Sequence, residues 1–114
     1  MKHFPEFIRN EKNKVPEAPE GMEGFVFDGA DGSQVVLWEN VSGGSVPLHS
    51  HDYWEYCYVV EGSYEGIVAG KPITLGPGDE CIIPPGVPHE GKHSANYRAI
   101  DIFGGQRIQR TLQK

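Results

Sequence analysis

Cysteine, basic charge and long apolar runs are all scarce in this sequence. Its 114 residues include two cysteines, Cys57 and Cys81, too few for the disulfide framework of a small secreted domain. The 10 Lys and Arg residues face 16 Asp and Glu, so the net charge of -6 argues against nucleic acid or an anionic membrane surface as a partner. No apolar run approaches the ~20 residues of a membrane-spanning helix, so we expect no membrane insertion.

The compartment follows from two further absences. The N-terminus lacks the apolar core of a secretory signal, and two isolated cysteines are most simply interpreted as reduced, packed thiols. We therefore predict a cytoplasmic protein. The sequence has the length of one domain, and it contains no internal repeat at solenoid periods.

The N-terminal segment differs in composition from the rest of the chain. It contains three prolines, scattered Lys and Glu, and few apolar anchors. We predict an arm at residues 1–22, a single domain at residues 23–108 and a tail at residues 109–114. Two interpretations of the arm stay open: a solvated tail, or a segment that packs on a partner subunit.

From Glu23 onward the sequence predicts strands. Short segments rich in Val, Ile, Tyr, Phe or Trp alternate with turns of Gly, Pro, Asn or Asp. The predicted strands are 23–28, 33–40, 45–51, 53–60, 64–69, 72–74, 80–83, 87–92 and 96–103. Many short strands with regular turns favour an antiparallel sandwich or barrel, an all-β fold.

Three potential metal ligands lie close together in the middle of the sequence. His49, His51 and Glu55 share one parity, so an unbroken strand would project all three from the same face. A His-x-His pair alone is often two surface histidines. A further histidine, His89, follows a turn-rich segment that reverses the chain. Imidazole and carboxylate together suit first-row transition metals, and a metal would offset the cost of burying these groups.

These residues carry a family resemblance. Residues 43–62 fit the pattern G-x5-H-x-H-x3-E-x6-G, and residues 78–89 fit G-x5-P-x-G-x2-H. The two patterns resemble the paired motifs of the cupin superfamily. The second family motif closes with Asn, whereas this sequence has His93 at that position. We expect His93 to be exposed, beyond the end of its strand.

The resemblance implies a cupin double-stranded β-helix, or jelly-roll, barrel with the metal inside near one mouth. By position, the cupin ligand set corresponds to His49, His51, Glu55 and His89. Three imidazoles and one carboxylate would bind one divalent ion and leave one or two coordination positions open. The ligand set accommodates Mn, Fe, Ni, Zn, Co or Cu.

The residues that would choose a reaction are ambiguous. Trp38, Tyr53 and Phe103 are candidates for a substrate pocket, and Tyr53 also shares the ligand parity. Arg98 and Asp101 have opposite parity on the last predicted strand, so only one can face inward. An inward Arg98 would bind a carboxylate, and an inward Asp101 would transfer a proton or orient a histidine.

Three functions remain open. Resemblance to small single-domain cupins implies an enzyme acting on a small organic acid, a sugar derivative or another metabolite, as a dioxygenase, decarboxylase, lyase or isomerase. The alternatives are a non-catalytic small-molecule binding or sensor module, and a structural dimer with an adventitious metal. Because similar cupins are often dimers, we also predict a homodimer.

Overall fold

The protein folds as two facing antiparallel sheets, shown by a computed structural model that describes residues 2–19 and 21–110. A 3-10 helix at Glu11–Asn13 precedes nine strands. These are β1 (Met22–Asp28), β2 (Gln34–Asn40), β3 (Gly44–His49), β4 (Glu55–Glu61), β5 (Tyr64–Val68), β6 (Lys71–Leu75), β7 (Glu80–Ile83), β8 (His89–His93) and β9 (Tyr97–Phe103). The predicted all-β jelly-roll architecture is confirmed.

The sheet order explains how distant residues meet. The five-stranded sheet has the order β1-β2-β9-β4-β7, and the four-stranded sheet has the order β3-β8-β5-β6. Consecutive strands β3 and β4 therefore lie in different sheets. The inner faces of the two sheets bury two apolar clusters, one around Val26 and Val36 and the other around Val59 and Ala99. No helix of the described residues is long and apolar enough to cross a membrane.

The strand assignment around the histidines differs from the prediction in one way that matters. We predicted strands at 45–51 and 53–60, whereas β3 ends at His49 and β4 begins at Glu55. His49 and Glu55 thus belong to different sheets, and parity along one continuous strand is the wrong reason for their proximity. The correct reason is that the two sheets face each other where β3 ends and β4 begins.

A register shift in β3 turns His49 inward. Val46 pairs with Gly91 and His49 pairs with His89, so β3 has one extra residue at this point. Pro47, which has no N–H to donate, lies in this bulge, as proline in a sheet usually does. Leu48 is 63% exposed, while Val46 and His49 both line the interior.

The N-terminal segment packs on its own barrel, which neither interpretation of the arm anticipated. Phe4 is 7% exposed and Val15 is 5% exposed. Lys14 forms a bridge with Phe25 beside β1. The predicted boundaries at residues 22 and 108 stay predictions. Of the predicted tail, residues 111–114 lie outside the described residues, and Arg110 pairs with Asp28 at 2.6 Å.

Candidate metal centre

Four side chains converge at one mouth of the barrel. His49 ends β3, Glu55 begins β4 and His89 begins β8, while His51 lies in the loop between β3 and β4. One potential ligand atom from each of the four lies within 4.8 Å of the others. Glu55 is 9% exposed and His89 is 4% exposed. This His/Glu group can hold a metal ion.

A backbone contact joins the two loops that carry His51 and His89. Gly86 has a φ of +79°, a conformation that side-chain-bearing residues rarely adopt. In this conformation its N–H donates to the His51 carbonyl at 2.7 Å. The glycine of the second sequence motif therefore brings the His89 loop against the His51 loop.

Backbone carbonyls fix the tautomer of all three histidines. A carbonyl oxygen can only accept a hydrogen bond, so a ring nitrogen facing it must carry the proton. Each Nδ1 faces the carbonyl of a residue two positions away, and the pairs are His49 with Pro47 at 2.8 Å, His51 with Tyr53 at 3.1 Å, and His89 with Val87 at 2.9 Å. In the neutral rings each Nε2 therefore presents a lone pair, as in metal-ligating histidines.

The potential ligand atoms of the site are hydrogen-bond acceptors that face one another. His51 Nε2 lies 2.8 Å from Glu55 Oε1, and His89 Nε2 lies 3.4 Å from the same oxygen. His89 Nε2 is buried and makes no hydrogen bond among the described residues. Because buried acceptors that face only other acceptors are costly, a proton or a metal cation is the natural occupant. The residues fit a divalent metal.

The electrostatics of the cluster agree with that conclusion. Burial raises the pKa of Glu55, but the neighbouring His89 and His51 rings, which would donate to its carboxylate when protonated, outweigh burial, so the pKa of Glu55 lies below its ordinary value. The Glu55 carboxylate, which would accept a hydrogen bond from a protonated His89, raises the pKa of His89 despite its burial. Burial lowers the pKa of His49. Protons and a metal ion would therefore compete for this cluster.

Two aromatic rings hold His51 in place. Tyr53 stacks on His51 with ring centroids 4.3 Å apart and planes 5° apart. Phe103 meets His51 edge-on at 6.1 Å. Burial raises the pKa of the Tyr53 hydroxyl. These contacts restrict the ring to the orientation in which Nε2 faces the other ligands.

An interior cavity of about 350 Å³ opens beside the cluster and is lined by His49, Glu55 and His89. Of the three predicted pocket residues, Trp38 and Phe103 line this cavity and Tyr53 does not. The pocket position predicted for Tyr53 is thus corrected, because its ring is occupied in stacking on His51.

The structure also distinguishes Arg98 from Asp101. Asp101 lines the cavity, and its buried Oδ1 has no hydrogen-bond partner among the described residues. Burial and the charge of Glu55 raise the pKa of Asp101 to about 7. Arg98 faces the opposite side of β9, where it pairs with Glu61 at 2.8 Å and lies over the ring of Phe4 at 5.3 Å. The structure therefore gives no support to an inward Arg98.

One basic residue near the site, Arg107, was not predicted from the sequence. Arg107 lines the cavity after β9. Its positive charge adds to the effect of burial that lowers the pKa of His49, and it opposes the effect of burial that raises the pKa of Tyr53. Its guanidinium makes no ion pair with any described residue, although other arginines such as Arg98 do. The available signal was its place four residues after Phe103, just beyond the last predicted strand.

His93 is the clearest error of the sequence analysis. We expected an exposed residue, but His93 is 6% exposed at the end of β8. Its Nε2 faces Asn40 Nδ2 at 2.9 Å, and its ring stacks on Tyr97 at 4.7 Å. The departure from the cupin motif at this position was the available signal, because it placed a ring where the family motif has a smaller polar residue.

The two cysteines are free thiols directly opposite each other on β4 and β7. Both line the cavity. Burial raises the pKa of Cys57 well above its ordinary value, and burial raises that of Cys81. Protonated thiols are weak nucleophiles and weak ligands, so we assign neither to the cluster.

Comparison with solved structures agrees with this architecture. KdgF from Halomonas sp. superimposes with a TM-score of 0.74 at 22% identity, over 88% of this chain and 93% of that one. An RmlC-like cupin from Shewanella frigidimarina gives a TM-score of 0.75 at 24% identity, over 94% of both chains. At these identities the likeness shows the fold alone.

A third similar structure is an enzyme of known reaction. A variant of oxalate decarboxylase from Bacillus subtilis gives a TM-score of 0.71 at 16% identity, over 87% of this chain and 29% of that one. The same Bacillus enzyme has Mn(II) centres. No curated protein matches the sequence.

The family itself is shown by the sequence match. The family model described as the Cupin domain matches residues 36–103, which is more than half of the chain and includes all four converging side chains. Together with the two facing sheets, this match establishes that the chain belongs to the cupin domain family.

Proposed function

We propose that this protein is a metal-dependent enzyme that acts on a small carboxylic acid. The observation that carries the proposal is the buried lone pair of His89 Nε2, which faces Glu55 and has no hydrogen-bond partner among the described residues. The proposed ligands are His49, His51, Glu55 and His89. Such a costly arrangement is stabilised by one divalent cation, with the cavity beside it for a substrate.

The identity of the ion follows only in part from the donor set. Three imidazole nitrogens and one carboxylate oxygen accommodate Mn, Fe, Co, Ni, Cu or Zn. The Mn(II) centres of the similar oxalate decarboxylase favour Mn as the first metal to test. A bound ion would supply Lewis acidity or redox capacity at the mouth of the cavity.

Two cavity residues support a carboxylate substrate. Arg107 offers a guanidinium without an ion-pair partner among the described residues, and a guanidinium binds carboxylates in a two-point contact. Asp101, with a pKa raised to about 7, can hold or release a proton near neutral pH, as a general acid or base must. Oxalate, the substrate named for one similar structure, is itself a carboxylate. A cavity of about 350 Å³ is at the small end of ligand pockets, which span roughly 300–1,000 Å³.

Reconstitution with each metal, followed by a substrate panel, tests the proposal. The panel contains dicarboxylates, hydroxy acids, aromatic acids and sugar acids, and is read by NMR with simultaneous oxygen uptake. We expect metal-dependent turnover of an acid. Asp101→Asn should lower kcat, Arg107→Ala should raise KM, and the matched control Lys92→Ala on the outside of β8 should change neither. Turnover that persists without metal would contradict the proposal.

The same panel separates the alternative function. A non-catalytic binding or sensor module would bind an acid tightly in the metal-loaded protein and return it unchanged. Isothermal titration on the same compounds measures this directly. A structural dimer with an adventitious metal would show neither turnover nor binding, and its metal content would vary between preparations.

We also infer that the partner of this chain is a second copy of itself. The outer face of the five-stranded sheet carries a continuous apolar surface, formed by Val35, Tyr56, Tyr58, Ile82, Ile100 and Ile102. Ile82 is 51% exposed, and large apolar patches of this kind mark association sites. Sedimentation should show a dimer that Ile82→Glu dissociates and that Ile67→Glu, on the other sheet, leaves intact. A cytoplasmic location stays a prediction.

A further inference from the structure

The N-terminal arm, defined here as residues 2–19, crosses from the outside of the barrel to its interior. Its first part lies on the outer face of the five-stranded sheet, where Phe4 is buried beneath the guanidinium of Arg98. Its last part reaches the cavity, and the five residues Val15 to Pro19 all line it. One continuous segment therefore connects an outer attachment to an inner wall.

A single buried carboxylate fastens the outer part of the arm. Glu39 on β2 is 3% exposed. It accepts hydrogen bonds from the Phe4 N–H at 2.8 Å, from Arg9 Nε at 3.1 Å and from His3 Nδ1 at 2.5 Å. Among the described residues, every hydrogen-bond partner of this carboxylate belongs to the arm. Arg9 adds a contact with Glu23 at 3.3 Å.

The inner part of the arm is held differently from the other walls of the cavity. Val15 donates its N–H to the Gly24 carbonyl at 2.8 Å and packs against Val26, Val36 and Phe103. Most of the remaining walls are strands, each secured by a ladder of hydrogen bonds to its neighbours. The segment after β9 also lines the cavity, and the Gln34 side chain holds it by bonding both the N–H and the carbonyl of Ile108. The arm has one bridge to β1. It is therefore the wall that can shift at the lowest cost.

We propose that the segment Val15–Pro19 is the specificity-determining wall of the cavity and that Glu39 is the anchor that sets its position. The width of the cavity at this wall decides which ligands fit against the four converging side chains. The inference rests on the proposed function only in taking this cavity as the substrate site. It assigns to the arm a role in ligand size that the sheets, with their fixed ladders, do not have.

The cavity thiols give a direct readout of this wall. Cys57 and Cys81 are the only cysteines of the chain, and both line the cavity. In the full chain we would measure their alkylation rates with iodoacetamide, which is small, and with a bulky aromatic maleimide. Glu39→Ala should raise the maleimide rate at least tenfold and the iodoacetamide rate much less. The matched control Glu65→Ala, an exposed carboxylate on the other sheet, should change neither rate.

A second variant and a stability measurement keep the experiment decisive if Glu39→Ala folds poorly. Arg9→Ala removes one anchor contact and should raise the maleimide rate by a smaller factor. Urea unfolding of each variant gives its unfolded fraction, which sets the labelling expected through global unfolding. A rise in Glu39→Ala that is no larger than its unfolded fraction explains, or no rise in either Glu39→Ala or Arg9→Ala, would overturn the proposal. Labelling needs neither metal nor substrate, so its failure is distinct from a failure of the proposed enzyme activity.

Discussion

The two ends of strand β8 carry two buried histidines with opposite surroundings. His89 at the first residue is 4% exposed, and His93 at the last is 6% exposed. His89 Nε2 faces the Glu55 carboxylate and has no hydrogen-bond partner among the described residues. His93 Nε2 faces the Asn40 side-chain amide at 2.9 Å. The two histidines are buried to a similar extent, but only His93 has a hydrogen-bond donor facing its Nε2.

Asn40 shows why the second end needs no ion. Its Oδ1 accepts the N–H groups of Ser42 at 3.0 Å and Gly43 at 2.9 Å. This orientation leaves the NH2 group to donate to His93 Nε2, so a donor meets an acceptor. At the His89 end only acceptors meet. A buried histidine is thus a candidate ligand when its free nitrogen lacks a donor, and a structural residue when a donor is present.

The largest expected effect is the loss of metal in His89→Ala. Removing a ligand should cost more than the roughly 10- to 100-fold loss typical of groups that only orient ligands. We expect metal content by mass spectrometry to fall to background after dialysis, with the β-rich circular dichroism spectrum retained. His93→Ala is the matched control on the same strand and should keep stoichiometric metal. Equal metal content in the two variants would break the comparison.

The next effect concerns stability. Here His93→Ala should cost more than His89→Ala, which is the reverse of their order for metal loss. His93→Ala leaves the buried Asn40 amide without its acceptor, which costs about 1–3 kcal/mol. In metal-free protein, His89→Ala removes an acceptor that faces another acceptor, so its cost should be smaller. Urea unfolding of both variants without metal measures the difference. A larger loss for His89→Ala would show that its lone pair is already satisfied without an ion.

A smaller effect is the pH dependence of stability that His93 contributes. Burial lowers the pKa of His93 below its ordinary value. As pH falls below about 6.5, the unfolded chain takes up a proton that the folded one excludes, so stability falls. One such group gives a slope of at most about 1.4 kcal/mol per pH unit.

The variant His93→Gln isolates that contribution. It should lose less stability than the wild type between pH 7 and pH 5, because it lacks the imidazole whose protonation the folded state excludes. The shift at His49 acts in both metal-free proteins and cancels in the comparison. The measurement is the free energy of unfolding in urea at each pH. A constant difference between the two proteins across this range would contradict the assignment.

The smallest effect is expected at the ring that supports His51. Tyr53→Phe keeps the stacking on His51 and removes only a hydroxyl, so metal affinity should change by less than about threefold. Tyr53→Ala removes the stack and should weaken metal binding by roughly tenfold, as for other groups that orient a ligand. Competition with a fluorescent chelator measures both. Equal losses in the two variants would assign the effect to the hydroxyl.

Much of the fold was predictable from local sequence. Alternation of apolar and polar residues, with glycine and proline turns, placed nine strands near their observed positions, because strand period and turn chemistry are local properties. Residues 50–54 were mostly predicted as strand but form a loop. The error arose because His51 and Tyr53 keep the alternation of a strand although they connect two strands of different sheets. No local pattern reports which sheet a strand joins.

The site residues likewise divide into those that local sequence identifies and those that only distant contacts place. His49, His51, Glu55 and His89 could be selected because their spacing matched a paired motif. His93 could not be placed, since its burial depends on Asn40 from another strand. Arg107 was missed because only the return of the chain after β9 brings it to the cavity. The arm was misjudged because its anchor, Glu39, is distant in sequence.

The sequence by itself determined an all-β barrel of the cupin family and four residues able to bind a metal, since strand period, turn residues and motif spacing are written along the chain. The tertiary structure decided which histidine is left without a donor, which of Arg98 and Asp101 faces inward, and which part of the N-terminal segment lines the cavity. These depend on partners far apart in sequence, whose approach is fixed by sheet pairing and packing.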